Sequence, residues 1–125
     1  MGLEKKLQKY KTYENLNDLE GLKTAFREKL DRVPPTMEYL RNLILDAKLL
    51  FRIVTDESFE LKRETKEDFI AALWYFIDSK DSIPDWIPMI GYWDDYRLLR
   101  KVKEKHKKEI DRYFEETKFF IANYF

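Results

Sequence analysis

Apolar residues along this chain recur at three- and four-residue steps and form no alternating Val/Ile/Thr runs, which predicts helix nearly throughout. After a polar lead containing Leu3, Leu7 and Tyr10, the positions Leu19, Leu22, Phe26, Leu30 and Val33 make one stripe, with Lys23, Arg27, Glu28 and Asp31 off it. That pattern is an amphipathic helix from Asn17 to Arg32, with Asn17 as the expected N-cap three residues before Glu20. Pro34-Pro35 ends it, because proline lacks a donor and drives the residue before it out of the α region. Thr36 is the expected cap of a second helix, Met37 to Val54, whose apolar positions cover more than one face and so predict a central helix packed on several sides. A polar connection leads to Thr65-Lys66-Glu67-Asp68, which has capping-box spacing, and then to nine consecutive apolar residues, Phe69 to Ile77. As a helix those nine span about 14 Å, against about 20 residues for a bilayer crossing, so they predict a buried helix.

Residues 78–95 interrupt the periodicity with Pro84, Pro88 and Gly91. Beyond them Leu99, Val102, His106, Ile110, Tyr113, Thr117, Phe120 and Tyr124 again keep helical steps. Unbroken from Asp95 to Phe125, this last helix would run about 46 Å, longer than a small domain, so either it kinks or its end packs on another chain. The expectation is an all-α bundle of four or five helices forming a single domain over residues 1–125, with a stiff turn before a long C-terminal helix.

Composition narrows the class. The 125 residues carry 44% apolar content and 20 aromatics, enough to build a core and too many for a disordered chain. With no cysteine there is no disulfide framework, thiolate site or cysteine nucleophile, and an intracellular, cytoplasmic setting is expected. The N-terminus, Met1-Gly2-Leu3-Glu4-Lys5-Lys6, lacks the apolar stretch of a secretory signal. Lys and Arg number 24 and so do Asp and Glu, but this balance hides a segregation. Residues 78–95 hold five carboxylates and one lysine, and residues 97–108 hold seven basic residues and one glutamate.

The stretch 72–95 contains Tyr75, Asp81, Ile83, Pro84, Asp85, Pro88, Gly91, Tyr92, Asp94 and Asp95 in an order that resembles the signature of the YkvA-like family, a domain of unknown function numbered 1232. Ser79 stands where many members have proline, and Trp93 where an aliphatic residue is usual; no carboxylate of the signature is lost. The resemblance implies a small helical domain with a family-like core over 36–99, a lead segment over 1–16 and a C-terminal helix extension over 100–125. It implies no established biochemical role. Some relatives look membrane-associated, a property this chain's hydropathy does not support.

Candidate chemistry gathers at the signature. Pro84 and Pro88 fix two torsions and Gly91 is free to take positive φ, so a compact structural turn is expected. Asp94, Asp95 and Asp85 are expected either to cap helix starts or, with Asp81, to converge as hard oxygen ligands for Mg²⁺, Mn²⁺ or Ca²⁺. His106, the single histidine, falls on the apolar face, which favours a packed side chain, and no catalytic constellation can be built around it. A binding surface is expected from Trp86, Tyr92, Trp93, Arg97, Arg100 and Lys101. The terminal Tyr113, Phe114, Phe119, Phe120, Ile121, Tyr124 and Phe125 exceed one helical stripe, so some are expected to meet a partner, most economically a second copy of the chain. The first functional expectation is therefore a non-enzymatic interaction or regulatory module without a covalent cofactor. The alternatives are a divalent-cation site with hydrolysis as its chemistry, and peripheral attachment of the basic aromatic C-terminal region to a membrane surface. A neutral chain with no recognised reading motif argues against nucleic acid.

Overall fold

The computed structural model describes residues 2–78 and 90–117, which form seven helices and, among the described residues, no strand. Two are short, α1 (Leu3–Gln8) and α2 (Tyr13–Asn17). Five are longer: α3 (Leu19–Arg32), α4 (Glu38–Thr55), α5 (Arg63–Asp78), α6 (Ile90–Lys105) and α7 (Lys107–Thr117). The fold is a small all-α domain, with the expected four or five helices present as the five long ones.

The helices pack as the apolar stripes require. α4, α5 and α6 each lie against the other two, α3 covers α5, and α1 lies across α5 and α6. α4 buries Leu40, Leu43, Ala47, Leu49, Leu50, Ile53 and Val54, a set too wide for one stripe, as expected of a helix with neighbours on several sides. From α3, Phe26 stacks on Phe51 of α4 at 4.3 Å and meets Phe76 of α5 at 6.0 Å, tying three helices together. The apolar run 69–77 is the core face of α5, where Phe69, Ile70, Ala71, Ala72, Leu73 and Phe76 are buried. No described helix is long and apolar enough to cross a membrane. Contacts of Tyr39 with Trp93 and of Asp46 with Lys103 show α4 and α6 running parallel.

Helix ends are where the structure departs from the local pattern. The N-cap of α3 is Asp18, whose carboxylate accepts from Gly21 N–H at 2.9 Å; Asn17 instead donates its side-chain amide to Tyr13 O at 2.8 Å and closes α2. At the start of α4 the cap is Met37, without a side-chain hydrogen bond, and Thr36 lies outside. α5 begins two residues before Thr65, with Lys62 O accepting from Lys66 N–H, so Thr65 and Asp68 are interior helical positions rather than a capping box. Glu109 of α7 takes the box's reciprocal role from a distance, its Oε1 accepting from Lys62 N–H at 3.2 Å. Gly91 lies in the first turn of α6 and has helical backbone, so it supplies no left-handed turn; Pro84 and Pro88 lie outside the described residues. The last helix is interrupted at one residue: α6 ends at Lys105 and α7 starts at Lys107, with His106 at the joint. Its backbone still bonds in helical fashion on both sides, His106 N–H to Val102 O and Ile110 N–H to His106 O.

Gly21 lies against the α3 cap: a Cβ there would come within 2.1 Å of Asp18 Oδ2. Alanine for glycine in a helix ordinarily gains up to about 1 kcal/mol, but here it displaces a capping carboxylate of similar value. In urea titrations Gly21→Ala is expected to leave the midpoint near wild type, and Asp18→Ala to lower stability by about 1 kcal/mol. Gly21→Ala should stabilise only in the Asp18→Ala background. A larger loss from Asn17→Ala than from Asp18→Ala would return the cap to Asn17.

Candidate functional site

The residues expected to form one binding surface are divided by α6 into two faces and the core. Trp93 is 46% exposed and lies edge-on to Tyr39 at 5.2 Å and beside Tyr96 at 5.4 Å. One turn on, the Arg100 guanidinium sits 5.0 Å from the Tyr96 ring centroid, within cation–π range, and 3.6 Å from Asp46. Arg97 and Lys101, four residues apart, face α1 instead, where they line a cleft with Lys6 and Asp94. Tyr92 does not belong to an accessible surface: its ring is buried beneath the ammonium of Lys29, which lies 5.4 Å away and is itself wholly buried. Trp86 lies outside the described residues.

The acidic set separates as well. Asp94 is exposed and Asp95 is buried, as the 100° step between helix neighbours dictates. Because α6 starts at Ile90, both carboxylates stand past the first turn whose N–H groups need capping, so the expected cap role is not theirs. Asp81 and Asp85 lie outside the described residues, and among the described residues no three His, Cys, Asp or Glu side chains gather as a metal site would need.

A different polar cluster lies in the interior. Asp68 of α5 has no exposed surface. Its Oδ1 is 2.5 Å from Lys11 Nζ, and its Oδ2 accepts from Lys105 Nζ at 2.9 Å and from His106 Nε2 at 2.7 Å. Lys105 also bonds Glu4 of α1 and lies 3.3 Å from Glu64. Burial pushes the Asp68 carboxyl up, but the hydrogen bonds from His106, Lys105 and Lys11 outweigh it and hold the group well below the usual carboxylate range. Partial burial pulls the Lys105 ammonium down, while Asp68 and Glu4 hold it above the ordinary lysine value. An ionised Asp68 only accepts, so the imidazole nitrogen facing it carries hydrogen. The other ring nitrogen, Nδ1, is 3.1 Å from Thr65 Oγ1.

Thr65, His106 and Asp68 therefore have the hydroxyl–imidazole–carboxylate order of a nucleophile row. The geometry nevertheless closes on itself. Thr65 and Asp68 stand one turn apart on α5, the ring is wedged between them with Phe69 edge-on at 5.5 Å, and Thr65 is only 2% exposed. With the hydroxyl sealed under the ring, the cluster fastens α1, α5 and the α6–α7 joint to one another. His106 is the packed side chain its spacing predicted. Its partners were missed: the available signal was a lone histidine on an apolar stripe together with a Thr/Asp pair three residues apart at the mouth of an apolar run.

α7 is fixed on its other face by the connection between α4 and α5. The Tyr113 hydroxyl donates to Asp56 Oδ2 at 2.8 Å, and Arg112 donates to Glu60 O at 2.8 Å while lying 4.3 Å from the Phe59 ring centroid. Hydrogen bonds from Ser58 and Tyr113 hold Asp56 below its ordinary range despite partial burial, and Arg112 does the same for Glu109. At the N-terminal side, the Tyr10 hydroxyl donates to Asp78 Oδ2 at 2.8 Å, and burial together with that carboxylate pushes the phenol up to about 12. Between α4, α6 and α7 lies a groove of about 370 Å³. Leu45, Leu49, Ile110 and Phe114 supply its apolar lining. Its charged rim is already paired in part: Asp46 with Arg100 and Lys103, and Lys107 with Asp111.

The depressed Asp68 carboxyl makes a signed prediction. Its contribution to stability is present above the unfolded carboxylate value near ~3.9 and is lost as pH falls below it, towards the folded value. Urea midpoints are expected to start falling at about pH 5 and to keep falling as pH approaches the folded value. Lys11→Met should leave that onset in place but make the drop smaller and complete at a higher pH, and Asp68→Asn, which leaves Lys11, Lys105 and His106 without their carboxylate, should cost about 3–5 kcal/mol at neutral pH. A pH profile unchanged by Lys11→Met would remove Lys11 from the cluster.

Comparison with known proteins is confined to part of the chain. No curated protein and no solved structure matches it. One family model does, over the apolar face of α5 and the start of α6, leaving Asp68 just before the matched stretch and Lys105 and His106 beyond it. Residues 69–99 match the family described as "Protein of unknown function (DUF1232)", the family that the Pro/Asp/Gly signature resembles.

Proposed function

We propose that this protein is a non-enzymatic interaction module that associates with a second copy of itself through the groove between α4, α6 and α7. The observation that carries the proposal is the make-up of that groove. Leu45, Leu49, Ile110 and Phe114 line it, and the flanking charges of Asp46, Lys107 and Asp111 are spent on neighbours within the chain. A partner entering it gains apolar burial while Asp46, Lys107 and Asp111 keep the partners that compensate them.

The fitting occupant is a short amphipathic segment rich in large apolar side chains. The chain supplies one directly after Thr117: Phe119, Phe120, Ile121, Tyr124 and Phe125. Reciprocal exchange of that segment between two copies gives a closed, two-fold assembly. The exposed ring of Trp93 and its neighbours Tyr39 and Tyr96, on the same α4–α6 side, extend the apolar contact. The cytoplasm is taken as the setting, in keeping with a chain that carries no cysteine.

Light scattering on the full chain, a chain ending at Thr117 and the full chain with Leu45→Lys tests this, with circular dichroism confirming equal helicity. The full chain is expected at twice the monomer mass and the other two at the monomer mass. Monomers throughout, or a dimer that survives either change, would overturn the proposal.

A further inference from the structure

α6 carries five basic residues, Arg97, Arg100, Lys101, Lys103 and Lys105, and three of them are committed. Arg100 and Lys103 pair with Asp46, and Lys105 pairs with Asp68, Glu4 and Glu64. The remaining two, Arg97 and Lys101, stand one helical turn apart on the face towards α1 and have no hydrogen bond or ion pair among the described residues. They line one cleft of about 230 Å³, and the opposite wall contributes Lys6, likewise without a partner among the described residues. Three uncompensated cations thus converge where the rest of the helix has matched each cation to a carboxylate. The walls are held in register by Leu98, which is buried, and by the Glu4–Lys105 pair one turn further along. Convergence of like charges on a fixed framework is unfavourable in the empty state, and an anion converts that repulsion into binding energy.

The chemistry of the walls defines the ligand. An arginine fork beside two point-charge ammonium groups suits the oxygens of a phosphate better than a single carboxylate. Asp94, the one acidic group on the cleft, repels a bare anion and accepts a hydrogen bond, so it selects a phosphate whose ester carries a donor. The volume lies below the ~300–1,000 Å³ of sites for drug-sized molecules, which excludes a dinucleotide and points to a compact group. We propose that the cleft between α1 and α6 binds a compact phosphate ester with a neighbouring hydroxyl, its phosphate held by Lys6, Arg97 and Lys101 and its hydroxyl by Asp94. Such a group occurs free, as a polyol phosphate, or as the headgroup of an anionic lipid.

Backbone amide NMR of the full chain at low ionic strength, titrated with inorganic phosphate and with glycerol 1-phosphate, tests the proposal. Saturable shifts are expected around Lys6, Arg97 and Lys101, with glycerol 1-phosphate binding the tighter of the two. Arg97→Gln and Lys101→Gln are each expected to weaken binding about tenfold, the loss of one charge-assisted contact. Lys108→Gln removes an exposed, unpaired cation away from the cleft and is expected to leave binding unchanged. Flotation with phosphatidylcholine vesicles, with and without phosphatidylglycerol, separates the two sources: flotation on the anionic vesicles that Arg97→Gln abolishes assigns the headgroup, and its absence beside glycerol phosphate binding assigns the free ester. No saturable shift with either probe, a preference for inorganic phosphate, or an equal loss from Lys108→Gln would overturn the assignment.

Discussion

The arrangement of this molecule depends on one ionised carboxylate buried without access to water. Taking Asp68 out of solvent costs several kcal/mol, and that cost is offset only if its hydrogen-bonding positions are filled with good geometry. The donors come from three separate places: Lys11 after α1, Lys105 at the end of α6, and His106 at the joint. Sliding α6 by one residue would turn Lys105 and His106 about 100° away from the carboxylate and leave it only Lys11. An apolar interface tolerates such a slip at modest cost, whereas a half-satisfied buried charge does not. The cluster thereby selects one register among the several that the leucine-rich faces of α4, α5 and α6 would allow.

The joint at His106 is held by the same cluster, its ring lying between Asp68 and Thr65. α7 then lies across the 56–62 connection, where Glu109 meets the first turn of α5, and Arg112 and Tyr113 meet Glu60 and Asp56. With α7 held on that side, its Ile110 and Phe114 are left facing Leu45 and Leu49 of α4 across open space. The groove therefore lies where α7, held on its other side, meets α4.

Much of the fold was legible because helix stripes are a property of spacing alone. Leu22 and Phe26, then Leu40, Leu43, Ala47, Leu49, Leu50, Ile53 and Val54, and then Phe69 to Leu73 with Phe76 are buried where their periodicity put them. Helix ends were less legible because adjacent residues compete on equal chemical terms. Asn17 and Asp18 are both good N-caps, and what separates them is that Asn17 is engaged with the carbonyl of Tyr13. Thr65 and Asp68 have a spacing that serves a capping box and equally well a single turn of helix; a histidine 38 residues beyond Asp68 decides between the two. The interruption at His106 has no proline or glycine to announce it, and only the excessive length of the last helix hinted at it. For the candidate site, Trp93, Arg97, Arg100 and Lys101 are accessible as expected, but α6 distributes them around its circumference, and a list of residues does not reveal that division.

The equal totals of 24 basic and 24 acidic residues carry a physical consequence once the partners are known. The basic run beyond residue 97 does not neutralise Asp78 and Asp94 of the neighbouring turn: Asp78 accepts from Tyr10, and Asp94 lies on the cleft without an ion pair among the described residues. It neutralises carboxylates on other helices instead, Asp46 on α4, Asp68 on α5 and Glu4 on α1. These pairs cross between elements, so they act as tertiary fasteners, and the sequence-local charge segregation is dissolved by folding. Where the matching stops is as informative as where it holds. On α6 the matching stops at Arg97 and Lys101, which face Lys6 across the cleft, and a positive cleft on a neutral protein attracts small anions without drawing polyanions to the whole surface.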